Sequence, residues 1–249
     1  MNNAIIGHKL IQLESVDSTN NYTAKVFKSG EVTSGTVIMA DIQTDGRGQR
    51  KNTWQSLPYE NITLSIPLYL KDYPISYPST INHIVSLGLY DFLMQYCPYT
   101  AVKWPNDIVV HHKKIGGILI ENHFSGHQLK SCIIGIGINV NQTHFDFKNT
   151  TSLKIETKKN YLLKELVHEL ILCLNQRVHY FLKNGFQSTK KTFDEKLWLK
   201  DKISKYQAGN IFFEGTIRHT DEYGNLVIES NGKLKTFRNG EIIFLERMM

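Results

Sequence analysis

The sequence of 249 residues is poor in cysteine and has no cysteine pair at metal-binding or redox spacing. Its three cysteines, Cys97, Cys132 and Cys173, stand apart among apolar neighbours, which excludes a disulfide framework and predicts buried, reduced thiols. None of the ten histidines belongs to an HExxH or similar metal-ligand pattern. We therefore predict no metal site built from protein side chains.

Long apolar segments, targeting signals and charge blocks are also missing. No run approaches the ~20 apolar residues that cross a bilayer, and the N-terminus has no secretion-signal pattern. No block of five or six like charges occurs, and Lys158-Lys159 and Lys190-Lys191 are pairs typical of a solvated helix face. A net charge of +6 with a pI near 9.0 suits nucleic acid, acidic proteins or nucleotides and selects none of them. We expect a cytoplasmic protein without membrane contact.

Apolar periodicity predicts an α+β protein in two parts. Residues 160–183 carry an apolar residue every three or four positions, which makes this the clearest helix. Further helices are predicted at 21–29, 78–96 and 188–200, and strands at 11–14, 35–40, 61–68, 101–104, 108–110, 114–122 and 129–140. From residue 203 onward, glycine turns separate short strands predicted at 211–214, 215–218, 226–229, 233–237 and 242–246. The pattern predicts a first domain over 1–202 and a small β-barrel over 203–249.

The run Lys103-Trp104-Pro105-Asn106-Asp107 is the most informative stretch of the chain. Pro105 lacks a backbone donor and fixes its own φ, so Trp104 is pushed towards extended geometry and a displayed polar corner is predicted. Seven residues after Asp107 the chain reaches Lys114-Ile115-Gly116-Gly117. Because adjacent residues of a strand point to opposite faces, one of Lys113 and Lys114 must share the glycine face, where it could neutralise a phosphate.

Two glycine-rich segments are further candidates for ligand contact. Residues 46–51, the basic loop, place three cations and two glycines within six residues, which fits a phosphate or carboxylate cradle. The loop is not a P-loop, and an exposed flexible loop is the alternative interpretation. Residues 135–139 lack the third glycine of a dinucleotide fingerprint. Strand glycines there and at Gly116-Gly117 mark either close ligand approach, as by a flat apolar ligand, or tight packing between strands.

Four separated segments resemble, in this order, the biotin–protein ligase family. They are Ser18-Thr19-Asn20, Gln43 with Gly46-Arg47-Gly48, Lys103–Asp107 with Lys114–Glu121, and Gly135–Asn139. The motifs extend over about residues 10–145, and the C-terminal β piece resembles the small SH3-like barrel of that family. The resemblance implies a mixed-sheet, biotin/lipoate ligase-like catalytic domain followed by this barrel.

The family resemblance implies a two-step reaction. Biotin and ATP, with Mg²⁺ held mainly by the nucleotide, give biotinyl-5′-AMP and pyrophosphate. A lysine of a biotin carboxyl carrier domain of a biotin-dependent carboxylase then attacks the activated carboxyl. The implied biotin-binding residues are Ser18, Thr19, Asn20, Gln43, Arg47, Gly48, Gln49, Lys114 and Gly117. The implied nucleotide-binding residues are Arg47, Arg50, Trp54, Asn139 and Lys114.

Three of these positions are implied to be catalytic. Lys114 would stabilise negative charge on the biotin carboxylate and α-phosphate, and Arg47 would close over the bound biotin. Asp107 would orient or deprotonate the acceptor amine, whose ordinary pKa lies well above 7. Many family members continue glycine-arginine-glycine with another arginine, where this chain has Gln49. Retention of the adenylate would then fall to Arg47, Arg50 or Lys51.

Two other function classes are kept as alternatives. Lipoate–protein ligases and octanoyltransferases share the catalytic fold, although the Arg47 loop and the Lys103–Asp107 run favour biotin. A basic RNA-binding module is the other, but the barrel shows no evident aromatic and basic face. The catalytic pattern begins at about residue 10, so we expect no sequence-specific DNA binding. The sequence leaves the carrier protein open, and also whether the chain forms a homodimer.

Overall fold

A computed structural model describes residues 5–71, 73–126 and 128–245, which form two sheets with flanking helices. The large sheet has seven strands in the order β1-β2-β3-β7-β6-β5-β4. These strands are β1 Leu10–Val16, β2 Val37–Gln43, β3 Asn61–Tyr69, β4 Thr100–Lys103, β5 Asp107–Val110, β6 Lys113–Ser125 and β7 Gln128–Asn139. β1 and β2 are parallel and the other neighbours antiparallel, which confirms the predicted mixed sheet.

The α-helices of the described residues are α1 Thr19–Lys28, α2 Ser79–Met94, α3 Leu153–Thr157 and α4 Leu163–Glu195. α2 packs against α4 so closely at Gly88 that an added Cβ would lie 2.7 Å from Leu174 Cδ2. The strands and helices predicted between residues 10 and 140 are confirmed to within three residues at every end. None of these helices is long and apolar enough to cross a membrane, and Cys97, Cys132 and Cys173 are buried and free as predicted.

The separate helices predicted at 160–183 and 188–200 are confirmed as two helical segments within α4. The backbone leaves the helical region at Gly185, where φ is 76° and ψ is −177°, a conformation that glycine adopts without steric cost. The second segment ends at Glu195, where Lys196 N donates to Phe193 O at 3.0 Å. The apolar pattern therefore located both segments and the break between them, but it extended the second beyond its end at Glu195.

A second, antiparallel sheet begins at Ile203 and has the order β11-β10-β9-β8-β12. Its strands are β8 Ile203–Ala208, β9 Ile211–Thr220, β10 Leu226–Ser230, β11 Lys233–Phe237 and β12 Ile243–Leu245. β8 was not predicted, because Tyr206 is its only buried residue. The two strands predicted at 211–218 are one, and Glu246 lies outside the described residues. The assignment of 1–202 and 203–249 to separate domains stays a prediction.

The two sheets are joined by buried polar contacts. Asp194 on α4 accepts hydrogen bonds from Thr220 N at 2.8 Å and Thr220 Oγ1 at 2.7 Å. Trp104 donates from Nε1 to Gly224 O at 2.8 Å. Trp104 is thus buried, and the prediction that the whole 103–107 corner is displayed is wrong at this residue. Its indole belongs to the contact between the sheets.

His83 on α2 makes folding sensitive to acid. Its ring is buried against Phe193, with centroids 4.2 Å apart, and Nδ1 has no hydrogen-bond partner among the described residues. Burial, together with the charge of Lys190, lowers the pKa of His83 to about 3. An unfolded histidine titrates near 6.5, so the unfolded chain binds more protons between these values. Stability is therefore fully present above about pH 6.5 and is lost as the pH falls through that window.

We expect the free energy of unfolding to fall between pH 7 and pH 5, and a His83→Phe variant to lose part of this dependence. The slopes of unfolding free energy against pH in the parent protein and in the variant should differ by at most about 1.4 kcal/mol per pH unit, the value for one proton. Urea unfolding at both pH values measures it, with the exposed His123→Asn as control. Equal pH dependence in His83→Phe and the parent protein would contradict this role.

Candidate active site

A cavity of about 250 Å³ opens where the basic loop faces β6 and β7. Most residues predicted from the sequence to bind a ligand line it, namely Ser18, Thr19, Asn20, Gln43, Arg47, Gly48, Gln49, Arg50, Trp54, Asp107, Lys114 and Gly117. Asn139 does not line the cavity: it is buried at the end of β7 and donates from Nδ2 to Thr151 O at 3.0 Å. Further lining residues that the sequence analysis did not single out include Thr63, Leu119 and Asn239.

Lys114 is fixed at the mouth of this cavity. Its Nζ lies 2.6 Å from Asp107 Oδ1, with side chains 37% and 26% exposed. The Lys114 backbone is held on both sides, since its N donates to Asn149 O at 2.7 Å and its O accepts from Thr151 N at 2.8 Å. Lys113 does not line the cavity. Lys114 is therefore the lysine on the glycine face, and its ammonium group is already oriented.

The 103–107 corner supports this arrangement. Asn82 Nδ2 donates to Pro105 O at 2.9 Å, and Asn106 exchanges hydrogen bonds with Ile118 through Nδ2 at 2.6 Å and through its carbonyl at 3.0 Å. Lys103 is turned away from the cavity and lies 4.9 Å from the Trp198 ring centroid. The corner thus positions Asp107, while Lys103 packs between the sheets.

Trp54 covers the bare face of the glycine strands. A Cβ added to Gly137 would lie 2.4 Å from Trp54 Cε2, and one added to Gly117 would lie 3.4 Å from Trp54 Cζ3. Trp54 N donates to Gly46 O at 2.8 Å, which ties the indole to the basic loop. Its Nε1 is buried without a hydrogen-bond partner in the described parts of the chain. The glycines at 117 and 137 are what allow a flat ring to lie here.

A polar network closes the inner end of the cavity. Gln43 Oε1 accepts from Thr19 N at 2.9 Å and from Thr19 Oγ1 at 3.1 Å, so this amide oxygen satisfies a backbone donor in the first turn of α1. Ser18 holds the N-cap position without a side-chain capping bond. Ser65 Oγ bonds Thr19 Oγ1 at 2.8 Å and Asn20 Oδ1 at 2.6 Å. Ser65 belongs to none of the sequence motifs. The one sign of it in the sequence is a polar residue within the alternating strand β3.

Arg47 is held by partners on α1 and β6. Its Nη2 lies 2.8 Å from Glu121 Oε1 and its Nη1 donates to Asn21 Oδ1 at 2.6 Å. Glu121 Oε2 also accepts from Asn20 Nδ2 at 2.8 Å. Because the Arg47 and Glu121 side chains are 42% and 35% exposed, the pair adds little to stability. Its effect is to orient the guanidinium group beside the cavity.

The basic loop is closed by its own backbone hydrogen bonds. Gly48 N donates to Asn52 O at 2.7 Å, Asn52 N donates to Gln49 O at 3.0 Å, and Gln49–Lys51 form a 3-10 turn. Arg50 has a φ of 55° within this turn. The side chain of Lys51 lies outside the described part of the structure. The loop therefore presents Arg47 and Arg50 from a defined backbone.

Comparison with known proteins covers both sheets. Residues 12–139 match the model of the biotin/lipoate A/B protein ligase family. The chain is 28% identical over 244 residues to the bifunctional ligase/repressor BirA of Bacillus subtilis, covering 96% of this chain and 74% of that protein. It is 24% identical over 246 residues to the biotin--[acetyl-CoA-carboxylase] ligase of Mycobacterium tuberculosis, covering 94% and 89%. The biotin protein ligase of Aquifex aeolicus, solved with biotin and ATP, has a TM-score of 0.78 at 26% identity, covering 95% and 98%.

Proposed function

The chain belongs to the biotin/lipoate A/B protein ligase family, and from this premise we infer that it is a biotin–protein ligase. The observation that carries the proposal is the placement of Lys114 beside Asp107 and Gly117 in a cavity bordered by the basic loop. This arrangement offers a fixed cation to a carboxylate and a phosphate. Among the described residues that line the cavity there is no cysteine, and no histidine that could activate a serine, and carboxyl activation by adenylation requires neither.

In the first step a biotin carboxylate oxygen attacks the α-phosphorus of ATP. A carboxyl–phosphate bond forms, the bond from that phosphorus to the pyrophosphate oxygen breaks, and pyrophosphate leaves. Lys114 Nζ stabilises the negative charge on the oxygens that share this transition state. Ser18, Thr19, Asn20 and Gln43 hold the biotin head group. Arg47, Gly48 and Gln49 close over it.

The nucleotide lies towards Trp54 and Arg50 in this proposal. Asn139 contributes indirectly, because Nδ2 of Asn139 holds Thr151 O while Thr151 N holds Lys114 O. Mg²⁺, when bound, neutralises phosphate charge. No group of three or more His, Cys, Asp or Glu side chains in the described residues could hold an ion. We therefore assign Mg²⁺ to the nucleotide as part of the substrate.

In the second step the neutral amine of a carrier-domain lysine attacks the carbonyl of biotinyl-5′-AMP. An amide bond forms, the bond to the AMP oxygen breaks, and the amine loses a proton. Asp107 is placed to orient the amine or accept that proton, since its side chain reaches the cavity mouth. For this, Asp107 first has to break its ion pair with Lys114 and then contact the incoming amine. This role and the acidic carrier domain as partner of a basic surface are proposals.

Substrate-dependent exchange of labelled pyrophosphate into ATP tests the assignment. We expect exchange with biotin and none with lipoate, followed by biotin transfer to a carrier domain but not to its acceptor Lys→Arg variant. Exchange with lipoate instead of biotin, or transfer of octanoyl groups, would replace the proposal with the lipoate alternative. The absence of sequence-specific DNA binding stays a prediction, which a gel shift at physiological salt tests.

A Gly137→Ala substitution should weaken nucleotide binding, because the new methyl group would force the Trp54 indole off the strand. Overpacking of this kind costs roughly 1–3 kcal/mol, so we expect the KM for ATP to rise about tenfold with a smaller change in kcat. Steady-state kinetics measure this. In a Trp54→Ala background the same substitution should add little. An equal effect in both backgrounds would show that the indole is not what Gly137 accommodates.

A further inference from the structure

We propose that residues 238–241, here called the C-terminal turn, are a positioning element of the adenylation site. The turn joins β11 to β12 in the second sheet, yet its Asn239 lines the cavity of the first. The inference rests on the proposed function for the identity of the reaction. The contacts that carry it do not depend on that function.

The C-terminal turn is braced by its own hydrogen bonds. Arg238 N donates to Glu241 Oε2 at 2.8 Å, and Glu241 N donates to Arg238 O at 3.0 Å. The next residue, Ile242, is buried in the core. The two residues at the tip, Asn239 and Gly240, therefore project from a turn that is tied to the second sheet.

Both tip residues contact the basic loop. Asn239 Nδ2 donates to Gln49 Oε1 at 2.8 Å, across a sequence separation of 190 residues. The Arg50 guanidinium lies against Gly240 so closely that an added Cβ would stand 1.2 Å from Nη1 and 1.9 Å from Cζ. Gly240 also has a φ of +82°, which favours glycine. Glycine at position 240 therefore allows both the positive φ of the turn and the close approach of the Arg50 guanidinium group.

Through these contacts the basic loop is anchored to both sheets. Arg47 is held by Glu121 of the large sheet, whereas Gln49 and Arg50 are held by the C-terminal turn. The second sheet consequently sets where the Arg50 cation lies relative to the nucleotide. Loss of the turn contacts would let the loop open more often and release the adenylate sooner.

The test is a Gly240→Ala substitution in the full chain, with Gly232→Ala as matched control. Gly232 lies in the neighbouring turn with a φ of +70°, and an added Cβ there meets nothing within 4 Å. Both variants carry the backbone strain, but only Gly240→Ala displaces Arg50. We expect trypsin to cleave the ligand-free Gly240→Ala variant after Arg47 about three to ten times faster than the parent protein. This factor corresponds to the loss of one or two hydrogen bonds. The Gly232→Ala variant should be cleaved at the parent rate.

The same substitution is then made in an Arg50→Ala background, where it should change cleavage after Arg47 less than about twofold. Release of preformed biotinyl-5′-AMP should follow the same pattern. Asn239→Ala is the second variant if Gly240→Ala does not fold. Equal cleavage in Gly240→Ala and Gly232→Ala would overturn the proposal, and so would faster cleavage with unchanged adenylate release. The cleavage readout needs no substrate, so its failure is distinct from failure of the proposed function.

Discussion

Lys114→Ala is expected to lower biotin-dependent ATP–pyrophosphate exchange by on the order of 10²- to 10³-fold, as for removal of one oriented donor from a transition state. The structure gives the reason in the geometry of the side chain. Nζ is held 2.6 Å from Asp107 Oδ1, and the backbone is fixed through Asn149 and Thr151. Water entering the space of the deleted side chain supplies no fixed charge.

Lys113→Ala is the matched control, because its side chain belongs to the same strand but does not line the cavity. We expect its exchange rate to equal that of the parent. Thermal unfolding of both variants should be nearly unchanged, since the lost Lys114–Asp107 pair is partly exposed. Full exchange activity in Lys114→Ala would refute the role given to this residue.

Arg47→Ala should accelerate release of biotinyl-5′-AMP by about 10- to 100-fold, the value of one or two charge-assisted hydrogen bonds. The substitution removes the only described ion pair between the basic loop and the large sheet, that with Glu121. Gln49→Gly should have the smaller effect, about threefold, because it removes a neutral amide contact. Rapid separation of enzyme from labelled adenylate gives both rates.

Glu121→Gln completes this comparison, since it leaves Arg47 in place and removes the opposing charge. We expect release between that of the parent protein and that of Arg47→Ala. Far-UV circular dichroism checks that each variant is folded. The opposite order, with Gln49→Gly releasing adenylate faster than Arg47→Ala, would show that retention does not depend on Arg47.

Local patterns predicted those parts of the site that lie on regular elements. Alternation along β6 required one of Lys113 and Lys114 to face the glycines, and the cavity contains Lys114. Polarity and glycine content likewise located the basic loop, although not its ordered 3-10 turn. Which lysine faces Gly117 could not be predicted from the period, because strict alternation puts Gly117 on the face of Lys113. A bulge in β6 opposite Ile108 and Val109 brings Lys114 to that face instead.

Contacts between distant segments could not be predicted in this way. Glu121 pairs with Arg47 across 74 residues, and Asn239 pairs with Gln49 across 190. Neither partner has a local pattern that distinguishes it from an ordinary exposed polar residue. Strand β8 was missed for a related reason, since only Tyr206 is buried and the strand is defined by its pairing with β9. Tertiary pairing, rather than local preference, fixes these residues.

The bonds of Asp194 and Trp104 bear on how such proteins can be recombined. In a chimaera that took its C-terminal sheet from a relative, both groups would stay buried, while the Thr220 hydroxyl could be replaced and the turn that presents the Gly224 carbonyl could shift. Each unsatisfied group would cost roughly 1–3 kcal/mol, a large share of the stability of an ordinary domain. We expect exchange of this sheet to succeed only when the incoming sheet has a threonine at position 220 and a turn that presents the same carbonyl at position 224. The second sheet and the groups that contact it at Asp194 and Trp104 therefore have to match each other in any such exchange.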